Sequence, residues 1–149
     1  TKSKRVMKKL ILTLLLIIHL PGLAQDSRPW PKVIVNHPNP HIRVLLMKEL
    51  TKAGLYGKKV VVYKLPNNYP VEAFVEGSAG GDYKMYLKKD IELIHEIIPH
   101  EVVHILQVER GDLEVLRGGF MWKGDFYPSS TKYHNRPWED EAYSKTNKR

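Results

Sequence analysis

The chain contains no cysteine. Disulfides, thiol catalysis, cysteine-ligated zinc fingers and iron–sulfur clusters are therefore excluded. Its first 24 positions contain no acidic residue but five basic ones, Lys2, Lys4, Arg5, Lys8 and Lys9. The formal net charge of +8 is concentrated there, because the other 125 residues carry 19 basic and 16 acidic side chains, a net +3. A charge so small and so mixed is an ordinary solvated surface, which argues against a nucleic-acid binder. The longest apolar run, Leu10 to Leu20, is about eleven residues, and a membrane-spanning helix needs roughly 20. What remains is 149 residues with 42% hydrophobic content, enough for one globular domain and its core but not two.

The basic start, the apolar run and the exit Pro21-Gly22-Leu23-Ala24 form the pattern of a secretory signal peptide. Cleavage is expected after Ala24, and the absence of cysteine at the exit excludes lipid modification. Residues 1–6 precede a plausible initiator Met7 and are read as a non-native start. The expected product, Gln25 to Arg149, is secreted or periplasmic and has no stable membrane insertion once the signal is removed.

Residues 25–40 hold Pro29, Pro31, Pro38 and Pro40 and read as an extended, proline-rich lead-in. Ile42, Leu45, Leu46 and Leu50 give a helical stripe over 41–53, ended by Gly54. Strands are expected at 59–65, 71–75 and 83–87, with turns at 66–68 and 77–81. From Asp90 the period becomes helical through Leu106, and Gly111-Asp112 ends it. Pro99 marks either the opening of a second helix or a kink. Residues 113–127 read as a hairpin or irregular β segment, 128–136 as loop, and Pro137 opens a last helix. The layout is α+β, with the domain placed at 41–149.

One motif carries chemistry: His100-Glu101-Val102-Val103-His104. On a helix, residues i and i+4 share a face, so both imidazoles can reach one zinc at about 2.0–2.1 Å. Glu101, one position along, can reach a water on the metal and take its proton. With 7 histidines and 10 glutamates, chance gives one such match roughly 2% of the time. The plain alternative is two surface histidines on an ordinary helix. A catalytic zinc needs a third protein ligand and an open position. Gln107 and Arg110 stand where the glycine and third histidine of the extended motif would come, so that version is excluded. Glu139 and Glu141, in Pro137-Trp138-Glu139-Asp140-Glu141-Ala142-Tyr143, can supply a carboxylate from a later helix. Two positions apart, they face opposite sides, and only one can be the ligand.

At these residues the chain resembles a gluzincin-type HExxH zinc metallopeptidase in minimal, single-domain form. The resemblance covers 83–143, through His100, Glu101 and His104 and through the Glu141-Ala142 step, which matches the glutamate–alanine step of the family's ligand helix. It implies a small zincin-like domain with a short mixed or antiparallel sheet, an active-site helix and a C-terminal ligand helix. It implies that His100, His104 and Glu141 bind Zn2+ and that Glu101 is general base, then general acid. It implies that the strand before the active helix, 83–87, lies at the cleft rim and pairs with substrate backbone. Lys145 replaces a carboxylate that supports a zinc histidine in some relatives. Tyr133 and His134, with Tyr127 at the start of the same loop, are the expected donors to the transition state, and Gln107 is expected to line the site.

The expected function is therefore hydrolysis of peptide bonds in a peptide or protein substrate. The alternative is a non-catalytic zincin-like binding protein, zinc-stabilised or metal-free, for a protein or cell-wall partner. The lead-in is also read as a segment that lies across the cleft and keeps the enzyme latent, with Asp26 as the blocking carboxylate.

Overall fold

The computed structural model describes residues 27–146. The expected export signal, Gln25 and Asp26 lie outside them. The elements run β1 (Lys32–Asn36), α1 (Ile42–Lys52), β2 (Lys59–Leu65), β3 (Ala73–Gly77), β4 (Tyr83–Lys88), α2 (Ile94–Glu109), β5 (Leu113–Leu116), β6 (Gly119–Trp122) and β7 (Asp125–Pro128). A 3-10 turn (Tyr133–Asn135) and α3 (Pro137–Thr146) complete the α+β layout.

The larger sheet has the order β1-β2-β4-β3. β1, β2 and β4 are parallel, and β3 is antiparallel to β4. Strand alternation puts Val33, Val60, Val62, Tyr83, Met85 and Leu87 on one face, where they are buried. Ile42, Leu46 and Leu50 of α1, spaced by four, cover that face beside Ile94, Ile98, Val102 and Ile105 of α2. Each such side chain contributes about 1.5–3 kcal/mol by leaving water. On the other face Tyr63, Tyr86, Phe74 and Tyr69 stack in a row, with ring centroids 5.4, 4.6 and 5.8 Å apart. A second sheet, the antiparallel meander β5-β6-β7, forms a small core with Leu113, Trp122 and Trp138. Among the described residues no helix is long and apolar enough to cross a membrane.

Four expectations are corrected. The lead-in is not outside the domain, because its proline-free stretch Lys-Val-Ile-Val-Asn pairs with β2 as β1. β1 lies at the sheet edge opposite β3, so 27–40 does not lie across the cleft. Residues 113–127 belong to a three-stranded meander rather than one hairpin. The rim strand is β3, not 83–87: β4 is hydrogen-bonded on both sides and has no edge to offer. Pro99, expected either to open a second helix or to kink one, opens none. It is buried within the 16-residue α2, at the loss of the hydrogen bond its missing N–H would have made to the His95 carbonyl.

Candidate metal centre

The 3.6-residue period of α2 puts Ile98, Val102 and Ile105 on the core and His100, His104 and Gln107 on the flank facing α3. On α3 the same period buries Trp138 and Ala142, four apart, and carries Glu139 with them. His100 Nε2 lies 3.1 Å and His104 Nε2 3.3 Å from Glu139 Oε2, and the two nitrogens are 3.1 Å apart. All three side chains are at most 12% exposed. Three ligand atoms on one tetrahedral zinc stand about 3.3 Å from one another at ordinary bond lengths, so this triangle fits a shared divalent ion.

The protons lead to the same conclusion. Gln107 is fully buried. Its amide nitrogen donates to the Trp138 carbonyl at 2.9 Å and to Glu141 Oε2 at 2.8 Å. Burial opposes ionisation of Glu141, but Gln107, Arg110 and Lys145 hold its pKa below the usual carboxylate range. Both partners are therefore acceptors, and the amide can be oriented only one way. Its Oε1 faces His104 Nδ1 at 2.9 Å and must accept from it. His104 thus carries its proton on Nδ1 and turns Nε2 toward Glu139 and His100.

Glu139 Oε2 also accepts from the Tyr133 hydroxyl at 2.7 Å. Burial would raise the Glu139 pKa, but the His100 and His104 rings and the Tyr133 hydroxyl beside it hold it far below the usual range. Lone pairs of His104 and Glu139 consequently converge on one point, which a proton or a metal ion must fill. Burial would lower the His104 pKa, but Glu139 and Glu101 raise it, which is the proton-filled form of the same arrangement.

Glu101 is 6% exposed. Burial pushes its pKa up, against the opposing pull of His104 and His100. Its Oε2 and His100 Nδ1 are buried without a hydrogen-bond partner among the described residues. Such a carboxylate suits proton transfer. It lines, with His100 and His104, a cavity of about 560 Å³ between β3, α2, the meander and α3.

The structure thus brings together His100, Glu101, His104 and Glu139, and it does not bring Glu141 to them. The expectation of Glu141 as third ligand is corrected. At about 100° per residue, two positions turn the side chain to another flank, where Glu141 meets Gln107, Arg110 and Lys145. Tyr133 lines the cavity. His134 is exposed on the 3-10 turn and does not line it, so the structure does not bring this expected donor to the site. Tyr127 packs edge-on against Trp138, with ring centroids 5.4 Å apart. Gln107 does not line the cavity but supports His104 from behind. Sequence reasoning missed Tyr143, whose ring lies 4.6 Å from that of His100 and whose hydroxyl is 3.3 Å from that of Tyr133. Its position four after Glu139 on α3 was the available signal. Comparison with protein-family models, curated proteins and solved structures finds no match for this chain.

Proposed function

We propose that the protein is an exported zinc-dependent peptidase of gluzincin type in a minimal zincin-like domain. The observation that carries this reading is the convergence of His100 Nε2, His104 Nε2 and Glu139 Oε2 on one point beside the partnerless carboxylate of Glu101. The mixed sheet with a free antiparallel edge strand, β3, at the cavity adds support. Export rests on the residue pattern of 1–24 alone.

His100, His104 and Glu139 would hold the ion. When bound, zinc supplies Lewis acidity toward a carbonyl oxygen and makes a water more acidic. Glu101 accepts the proton of the attacking water and, its pKa raised by burial, delivers it to the leaving amine. Tyr133 lines the cavity, but its one hydroxyl proton lies on Glu139, so it donates to a developing oxyanion only by releasing Glu139. The free edge of β3 aligns an extended peptide backbone along the cavity.

Metal analysis of the purified protein tests this. One zinc per chain is expected, lost in Glu139→Ala and kept in Glu141→Ala. Glu101→Gln keeps the zinc and loses about 10²–10⁴-fold in turnover. Zinc bound with no effect of Glu101→Gln on a substrate that the wild type cleaves would sink the mechanism. Zinc bound with no cleavage of any peptide would move the protein to the non-catalytic reading.

A further inference from the structure

The cavity contains one cation that the catalytic reading does not use. Arg136 is the single lysine or arginine among its lining residues. Its Nε donates to the Thr131 carbonyl at 3.1 Å, and its guanidinium carbon lies 5.4 Å from the Phe120 ring centroid and 5.8 Å from that of Tyr133. The group is therefore fixed at one end and set between two aromatic rings. It forms no ion pair with any carboxylate among the described residues. Arg110, by contrast, pairs with both Asp112 and Glu141. Of the four acids that line the cavity, Glu139 is engaged by both histidines and Tyr133 and Glu72 by Lys88, and neither Glu96 nor Glu101 forms an ion pair with Arg136 among the described residues.

A partly buried, oriented guanidinium with no carboxylate of its own is a receptor for one, since its fork of donors matches a carboxylate in two parallel hydrogen bonds. The surroundings specify the rest of the ligand. Of the ten exposed large apolar side chains among the described residues, five line this cavity: Val71, Leu93, Val115, Tyr133 and Tyr143. Tyr133 touches both ends of this arrangement: its ring centroid lies 5.8 Å from the guanidinium carbon and its hydroxyl bonds Glu139 at 2.7 Å. A carboxylate held by Arg136 thus belongs to a residue close in sequence to the bond presented to Glu101.

Resting on the peptidase reading, we propose that Arg136 is the specificity-determining residue of the cavity and that the preferred ligand is a peptide with a large apolar side chain and a nearby carboxylate. The carboxylate is either the chain terminus or an acidic side chain.

Equilibrium binding to the full-length protein decides this independently of turnover, so the proposal and the peptidase reading can fail separately. N-acetylphenylalanine is compared with its amide, and acetyl-Glu-Phe-amide with acetyl-Gln-Phe-amide, in the wild type and in Arg136→Gln, which retains a donor for Thr131. The expected result is at least tenfold tighter binding of the charged member of one pair, lost in Arg136→Gln, while the uncharged member binds both proteins equally. A difference in the first pair assigns the terminus, and one in the second assigns the side chain. Should Arg136→Gln fail to fold, Arg136→Met, which keeps the aliphatic stem and removes the guanidinium, takes its place in the same comparison. Equal binding within both pairs, no binding of any probe, or a charge preference that survives Arg136→Gln overturns the proposal.

Discussion

Gln107 carries no charge and does not touch the cavity, yet it decides which nitrogen of His104 faces Glu139. Gln107→Leu keeps the bulk and removes that control. A loss of about 10–100-fold in zinc affinity is expected, read by competition with a chelating dye, with the far-ultraviolet circular dichroism unchanged. Undiminished affinity would show that packing alone orients the imidazole. A second residue, Glu109, acts on stability. Burial would raise its pKa, but hydrogen bonds from Lys58, the Tyr83 hydroxyl and the Gly80 N–H hold it below its ordinary 4.5. The folded chain therefore releases this proton at lower pH than the unfolded chain. The stabilisation is fully present above the ordinary carboxylate range and disappears as pH falls through the lowered value. Glu109→Gln should cost about 1–2 kcal/mol at pH 7 and less at pH 3, so its urea midpoint approaches that of the wild type on acidification. A constant gap at both pH values would contradict this. Residue type was legible in advance at His100, Glu101 and His104, because spacing along one helix decides their common face. Glu139 against Glu141 was not, because that choice depends on how α3 is rotated against α2, which Trp138 and Ala142 settle by packing.

At the scale of elements, the rim of the cavity depends on one close approach. Gly77 ends β3, and a Cβ there would occupy the space of the Tyr83 ring. Its backbone is not in the left-handed region, so the constraint is steric. Gly77→Ala must push the Tyr83 ring, break its hydrogen bond to Glu109 and shift the cavity edge strand. A destabilisation of about 1–3 kcal/mol is expected, with faster amide exchange in β3 and unchanged exchange in β1, at the opposite edge. Wild-type stability in this variant would mean that β3 is less tightly seated than its pairing with β4 indicates. The regular elements were readable where the period was long enough. α1 follows from Ile42, Leu46 and Leu50, and β2 from its β-branched run. β1 was obscured by prolines on both sides, although Val33-Ile34-Val35 is a β-branched core of its own. The helical period from Asp90 began four residues early. Asp90 is held in a turn by Asn67, its N–H bonding Asn67 Oδ1 at 3.0 Å, and α2 starts only after Leu93. The topology was not readable at all. The insertion of β4 between β2 and β3 depends on pairings distant in sequence, and it is what gives β3, rather than β4, the free edge.

The whole molecule has two cores joined along one helix. The four-stranded sheet with α1 and α2 forms the larger, and the meander with Trp138 of α3 the smaller. α2 contributes to both, and its polar flank makes the ties between them: His100 and His104 to Glu139, Gln107 to Trp138 and Glu141, and Arg110 to Glu141. A core as small as Leu113, Trp122 and Trp138, with partly buried Val108, Phe120 and Tyr127, leaves α3 weakly held by apolar burial alone. An ion shared by His100, His104 and Glu139 would therefore act as a clasp between the cores. Its stabilisation follows the logarithm of free metal over the dissociation constant, about 4 kcal/mol at a thousandfold excess. Chelation should lower the melting temperature, and the loss of hydrogen-exchange protection should concentrate in α3 and the meander while β2 and β4 stay protected. Glu139→Ala should reproduce the chelated pattern and be insensitive to added zinc, and Glu101→Gln should retain the zinc response. Uniform loss across both cores would instead mean that they unfold as one unit and that the centre stabilises the fold without acting as a hinge pin. No response to chelation in a zinc-loaded sample would place the ion elsewhere.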